Sequence, residues 1–234
     1  MSLRDWSLLI ALSILWGGSF FFVRVALDGV PPLMLVLARV AIAAAVLLVL
    51  LRATGESLPR RRDVWLTLAV MALLNNVIPF SLIFWGQTAI PAGLAAILNA
   101  TTPLFTVIVM HLFTDDDRAT PGKAVGVTLG FAGVVVLVGP AATGTLDTPL
   151  WALAACLAAA LSYAVSGLWS RRIKPLGLTP TFTAFAQLSV TSLVMTPVVA
   201  LVDRPWALPL PGLAPLAAVV ALAVLSTALA YIIF

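Results

Sequence analysis

The chain has 234 residues, of which 62% are hydrophobic and only 9% charged, with a mean hydropathy of +1.13. Soluble domains carry about 25% charged residues, so this composition excludes a chain that folds in water and leaves an integral membrane protein. The net charge of +4 sits in short gaps between apolar runs, which marks it as a topology signal and sets aside a nucleic-acid partner.

Each hydrocarbon crossing takes about 20 mostly apolar residues. The runs predict an all-α integral membrane fold with eight transmembrane helices at about 6–27, 32–51, 64–85, 89–112, 121–139, 149–170, 180–201 and 212–234. The first run starts after Arg4 like a signal peptide. It carries bulky residues where cleavage needs small ones, and so reads as a retained helix. Prolines mark the boundaries, and Thr120 and Thr179 are expected N-caps, each followed by proline at the first helical position. From a cytoplasmic N-terminus, Arg4, Arg52, Arg60, Arg61, Arg62, Arg118, Lys123, Arg171, Arg172 and Lys174 fall inside. Asp28, Asp147, Asp203 and the one outside-loop base, Arg204, fall outside. The single cysteine, Cys156, rules out an internal disulfide and reads as a small packing residue.

Comparison of the chain with itself reveals a repeat. Trp16 to Arg24 lies over Tyr163 to Arg171, Pro32 to Arg39 over Pro180 to Gln187, and Leu74 to Phe80 over Leu225 to Tyr231, with an offset that grows from 147 through 148 to 151. Five helices per unit is odd, so the second unit starts on the opposite side of the membrane. Inverted repeats are a recurrent architecture of secondary transporters, with the substrate site near the midplane. The expected division is residues 1–140 for the first unit, helices one to five, and 148–234 for an incomplete second, helices six to eight. On that reading a complete protein has ten helices and this chain is a fragment or a truncated product.

The sequence resembles the drug/metabolite transporter superfamily, in particular the EamA-type exporters of bacteria. The resemblance is carried by Leu15-Trp16-Gly17-Gly18-Ser19-Phe20, by the Pro32 to Arg39 start of helix two, and most specifically by Ala89 to Phe105. It implies a 5+5 inverted-repeat fold in the bacterial cytoplasmic membrane and movement of small metabolites, often amino acids or related compounds, out of the cytoplasm by alternating access. The partners it implies are a small-molecule substrate and the bilayer, with no cofactor. The alternative is a membrane subunit or truncated product that does not transport. An enzyme is disfavoured, since paired acids in spans, a His-rich metal motif, a nucleophile elbow and a phosphate-binding glycine loop are all missing from the sequence.

No Asp or Glu falls inside a predicted span, and the one histidine, His111, reads as an interfacial side chain beside Asp115, Asp116 and Asp117. The candidate substrate-binding residues are Trp16, Arg39, Asn75, Asn76, Asn99, Thr102, Tyr163 and Gln187. Buried amides need partners, so Asn75, Asn76 and Asn99 either bond between helices or line a wet cavity. Pro79 and Pro103 lie one turn beyond these amides, and the bends they impose would gather freed carbonyls and amide side chains at one depth. Arg39 is either a gate residue or an attractor for a substrate carboxylate, and the repeat sets Gln187 at the related position. Trp16 and Tyr163 are matched aromatic walls or ordinary packing. Arg24 is expected to snorkel and pair with Asp28. Trp6, Trp65, Trp85, Trp151 and Trp206 are expected belt anchors, and Gly17, Gly18, Gly126, Gly130 and Gly133 points of close helix approach.

Overall fold

A computed structural model describes residues 2–56, 58–59, 61–142 and 148–233. Arg60, Asp147 and Phe234, used above in reading orientation and repeat length, lie outside the described residues. Eight helices among the described residues are long and apolar enough to cross a membrane, and no strand occurs among them. They are α1 (Leu3–Ala26), α2 (Pro32–Ala53), α3 (Arg62–Gly86), α4 (Ala92–Phe113), α5 (Pro121–Gly139), α6 (Leu150–Ser170), α7 (Pro180–Val202) and α8 (Leu213–Ile233).

The termini follow from local chemistry. Helix α1 starts earlier than its apolar run because Ser2 accepts from the Asp5 N–H while the Asp5 carboxylate accepts from the Ser2 N–H, a reciprocal cap. Thr179 accepts from the Phe182 N–H at 3.1 Å and Thr120 from the Lys123 N–H at 3.3 Å, as the sequence predicts. The N-terminus of α2 follows Pro31 and has no side-chain cap of its own. Its Met34 N–H donates instead to Asp203 Oδ2 of the α7 end at 2.7 Å. At the other end of this antiparallel pair, the Thr179 hydroxyl donates to Glu56 Oε2 at 2.7 Å.

Three spans are irregular inside the membrane. Helix α3 widens to a π turn at Leu73–Val77 and α8 does so at Val224–Leu229. Helix α4 breaks between Asn99 and Thr102, directly before Pro103. Such irregular backbone is tolerated at membrane depth only where protein or a cavity satisfies it. Ser162 Oγ of α6 donates to the Leu74 carbonyl at 2.7 Å, and Thr227 Oγ1 to the Leu222 carbonyl at 2.9 Å.

Helices α2 and α7 pack along each other through the core, where Leu35, Val36, Val40 and Leu47 meet Phe182, Ala186, Leu188 and Met195, all buried. Helices α1 and α8 pair on one side and α3 and α6 on the other. Helix α5 lies at the edge with none of its residues buried in the span, so its apolar surface faces the place of lipid.

The expected glycine approaches are not made at Gly17, Gly126 or Gly133, where a Cβ would meet nothing within 4 Å. Gly18 is neighboured only by the Phe22 ring of its own helix, 4.0 Å away. Gly130 alone of this set is crowded, by the Leu104 side chain. Small residues allow close packing but do not compel it when lipid is as apolar as the neighbouring helix. A close crossing against helix backbone falls at Gly86, where a Cβ would stand 3.0 Å from Cys156 Sγ and 3.1 Å from the Ala152 carbonyl oxygen. Cys156 is fully buried in that crossing.

Two of the expected belt tryptophans, Trp85 and Trp151, stack with ring centres 4.4 Å apart. Arg24 pairs with Asp28 at 3.4 Å. In the α4–α5 gap Asp115 pairs with Arg118 at 2.7 Å, Asp116 with Arg171 at 2.7 Å and Asp117 with Lys123 at 2.8 Å. His111 Nδ1 accepts from the Ala119 N–H at 3.2 Å, a helix-end contact.

Candidate functional site

The irregular segments surround a cavity of about 530 Å³, within the usual range of small-molecule sites, about 300–1,000 Å³. Six helices wall it. Trp16, Ser19 and Phe20 come from α1, Arg39 from α2, and Asn75, Phe80 and Phe84 from α3, with Gln87 just past its end. Asn99 and Thr102 flank the break in α4, Tyr163 and Ser166 come from α6, and Tyr231 from α8.

The π turn decides which asparagine faces the cavity. On the wall of α3, Phe80, Phe84 and Gln87 keep ordinary helical spacing, but the next residue back is Asn75, five positions before Phe80. An unbroken α-helix would present Asn76 there. Asn76 instead turns behind the wall, fully buried, and its Oδ1 accepts from the Tyr231 hydroxyl at 3.1 Å. Gln187 also lies behind the wall, with Oε1 3.4 Å from Asn75 Nδ2. Asn75 thus links three helices: Nδ2 donates to the Tyr231 hydroxyl oxygen at 3.2 Å and Oδ1 accepts from Ser166 Oγ at 3.2 Å. The structure therefore brings Trp16, Arg39, Asn75, Asn99, Thr102 and Tyr163 together around one cavity, with Asn76 and Gln187 behind the Asn75 side of it.

Arg39 is 6% exposed. Its Nε donates to Thr227 Oγ1 at 2.7 Å, and its guanidinium carbon lies 4.0 Å over the Phe80 ring and 5.7 Å from that of Phe84. The Thr227 hydroxyl proton is directed to Leu222, so its oxygen is oriented to receive the Arg39 N–H. Thr102 turns its hydroxyl onto the Asn99 carbonyl at 2.7 Å, a local bond that leaves the side chain at the cavity edge. Both polar atoms of the Gln87 amide and Oδ1 of Asn99 are buried with no hydrogen-bond partner among the described residues.

Ser19, Phe20, Phe80, Phe84, Gln87, Ser166 and Tyr231 were absent from the sequence-derived site. For four of them the repeat held the signal. Ser19 lies over Ser166 and Phe80 over Tyr231, just as Trp16 lies over Tyr163, and every member of these three pairs is on the cavity wall.

Residues 6–139 match the EamA-like transporter family. "Uncharacterized inner membrane transporter YedA" of Escherichia coli (strain K12) is 31% identical over 172 residues, covering 73% of this chain and 54% of that protein. "Probable terminal-alkyne amino-acid exporter" of Streptantibioticus cattleyicolor is 28% identical over 75% of this chain and 56% of that protein. The chain therefore spans about half the length of the curated relatives it matches. A solved crystal structure shares the fold with a TM-score of 0.66 over 97% of this chain and 76% of that one, at 23% identity. With more than half of its length inside the family match, the chain belongs to the EamA-like transporter family.

Proposed function

We propose that the chain forms the substrate-binding part of a multi-pass carrier in the cytoplasmic membrane that exports small metabolites, amino acids or related compounds, by alternating access. The observation that carries this reading is the cavity at the irregular segments of α3, α4 and α8, walled by three repeat-matched pairs. Two further features support the inverted-repeat arrangement of residues 1–140 and 148–234. The π turns of α3 and α8 occupy related positions, and the pairings α1 with α8 and α6 with α3 exchange under the repeat while α2 pairs with its own counterpart α7. That is the pattern a pseudo-twofold axis in the membrane plane produces. The names of relatives as amino-acid exporter and efflux pump support the direction and the class of solute.

Single cysteines at Asn75 and Asn99 test the cavity. Both should react with small aqueous thiol reagents, while cysteines at Leu47, buried between α2 and α7, and at Val135, on the lipid-facing α5, stay protected. Equal labelling at all four positions sinks the reading. For orientation, a reporter active only in the cytoplasm should work when fused after Arg62 or Lys174, and one active only outside after Asp147; the reverse pattern places the N-terminus outside.

A further inference from the structure

Among the described residues that wall the cavity, Arg39 carries the one formal charge. The eight acidic residues among the described ones lie at or beyond helix ends, at positions 5, 28, 56, 63, 115–117 and 203, so none of them stands in the membrane interior beside it. A guanidinium keeps its charge at any pH a cell meets. Its surroundings offer the hydroxyl of Thr227 to Nε and the faces of Phe80 and Phe84 to its plane, a dipole and two quadrupoles but no countercharge. The two terminal nitrogens make no hydrogen bond to any described residue. An uncompensated charge in a low-dielectric interior is expensive, and an anion in contact with it is correspondingly favoured. The planar fork of donors fits a carboxylate, two oxygens to two N–H groups.

The cavity has a second polar feature of different character. Gln87 is 1% exposed, and neither its donor nor its acceptor atom is used; Asn99 Oδ1 is likewise unpartnered. These are neutral amides, suited to a hydroxyl, an amide or an ether, and they supply no charge to hold an ammonium group. The same cavity is lined by the aromatic side chains of Trp16, Phe20 and Phe84.

We infer that the cavity selects monoanionic carboxylates: an apolar or aromatic body, one carboxylate held by Arg39, and a neutral hydrogen-bonding group satisfied by Gln87 and Asn99. This deepens the carrier reading above and rests on it for the word substrate, but the binding claim stands on the cavity alone. Solutes that carry a positive group are disfavoured, because Arg39 repels it and the wall provides no acid to neutralise it. Among amino-acid derivatives, N-acylated acids therefore bind better than the free zwitterions, and cationic amides bind least.

The test uses four probes on one side chain: N-acetylphenylalanine, phenylalanine, N-acetylphenylalaninamide and phenylalaninamide, which are respectively anionic, zwitterionic, neutral and cationic. Binding to the full chain in lipid nanodiscs is measured by calorimetry and by ligand-dependent thermal shift. The acid should bind at least about tenfold tighter than its neutral amide, and the cation weakest of all. Arg39→Gln should remove that preference, bringing the affinities of the acid and the neutral amide to within about twofold of each other, and Gln87→Leu should weaken both acetylated probes together. If Arg39→Gln does not fold, the four-probe order in the unaltered chain still decides. Equal affinity for acid and neutral amide, tighter binding of the cation, or no binding of the acid overturns the inference. Counterflow in proteoliposomes separates the two claims. Tight binding of the acid without counterflow upholds the binding site and counts against transport, whereas counterflow that does not distinguish acid from neutral amide upholds transport and overturns the selectivity.

Discussion

Gly86 offers the sharpest test of how α3 is seated against α6. A Cβ at this position would stand 3.0 Å from Cys156 Sγ and 3.1 Å from the Ala152 carbonyl oxygen. The sulfur belongs to a buried side chain and the oxygen to helix backbone, so neither swings aside and the helices themselves must separate. Overpacking of this kind costs about 1–3 kcal/mol. The gain in helix propensity from Gly to Ala, up to about 1 kcal/mol in a helix interior, is smaller here because Gly86 is the last residue of its helix. Gly86→Ala should therefore destabilise by about 1–2 kcal/mol in reversible unfolding from mixed micelles. Gly93→Ala, where a Cβ meets nothing within 4 Å, should be neutral or slightly stabilising. Cys156→Ala combined with Gly86→Ala should cost less than the two single changes together, because the sulfur contact is relieved while the Ala152 contact remains. If Gly86→Ala proves as stable as Gly93→Ala, or the double change is additive, the close crossing is not present in the membrane.

Three further outcomes follow from hydrogen bonds described above. Tyr231→Phe removes the hydroxyl shared by Asn75 and Asn76; at roughly 0.6 kcal/mol for a typical hydrogen bond inside a membrane protein, with leftover burial of Asn76, the loss should be about 1–2 kcal/mol in the same unfolding assay. Asp203→Ala removes the one side-chain acceptor that caps the α2 N-terminus among the described residues and should cost about 1 kcal/mol, whereas Asp203→Asn keeps an acceptor and should cost only a few tenths. In the α4–α5 gap, the hydrogen bond from Arg171 holds the Asp116 carboxyl below its ordinary value of 3.8. A depressed carboxylate contributes stability above that ordinary value and loses it as pH falls through the depressed one. The stability difference between the unaltered chain and Asp116→Asn should accordingly be constant at neutral pH and vanish only as the solution is acidified below about pH 4. A difference that already fades between pH 7 and 5 would contradict the pairing.

The fold was legible where the bilayer itself writes the pattern. Eight apolar runs become eight spanning helices, and the caps at Thr120 and Thr179 and the pairing of Arg24 with Asp28 sit where the residue types place them. The glycines were misleading for a reason peculiar to membranes. In the row Gly126, Gly130 and Gly133 only Gly130 meets another helix, at Leu104 of α4, because α5 stands at the edge with most of its surface toward lipid. At the cavity, the residue types were readable and the geometry was not. Asn75 and Asn76 are chemically identical in the sequence, and the π turn that sends one to the wall and the other to Tyr231 leaves no mark in composition or hydropathy. Gln87, near the end of its span, is polar enough to require a neighbouring helix or a cavity but is not among the site candidates read from the sequence; in the structure it is 1% exposed on the cavity wall.

The π turn in α3 makes pocket identity a matter of phase. The turn holds five residues where an α turn holds about four, so deleting any one residue between 73 and 77 would leave the hydropathy profile almost untouched, remove the bulge and keep the flanking faces in phase, while resetting which side chain of the turn meets the pocket. A single-residue gap in this stretch of a relative thus keeps the scaffold and exchanges one polar group at the wall, and a gapless alignment that matches asparagine to asparagine can pair side chains that point in different directions. Val224–Leu229 in α8 carries the same sensitivity. Lineages of such carriers can therefore diverge in what they hold by a change of length, with every polar letter retained.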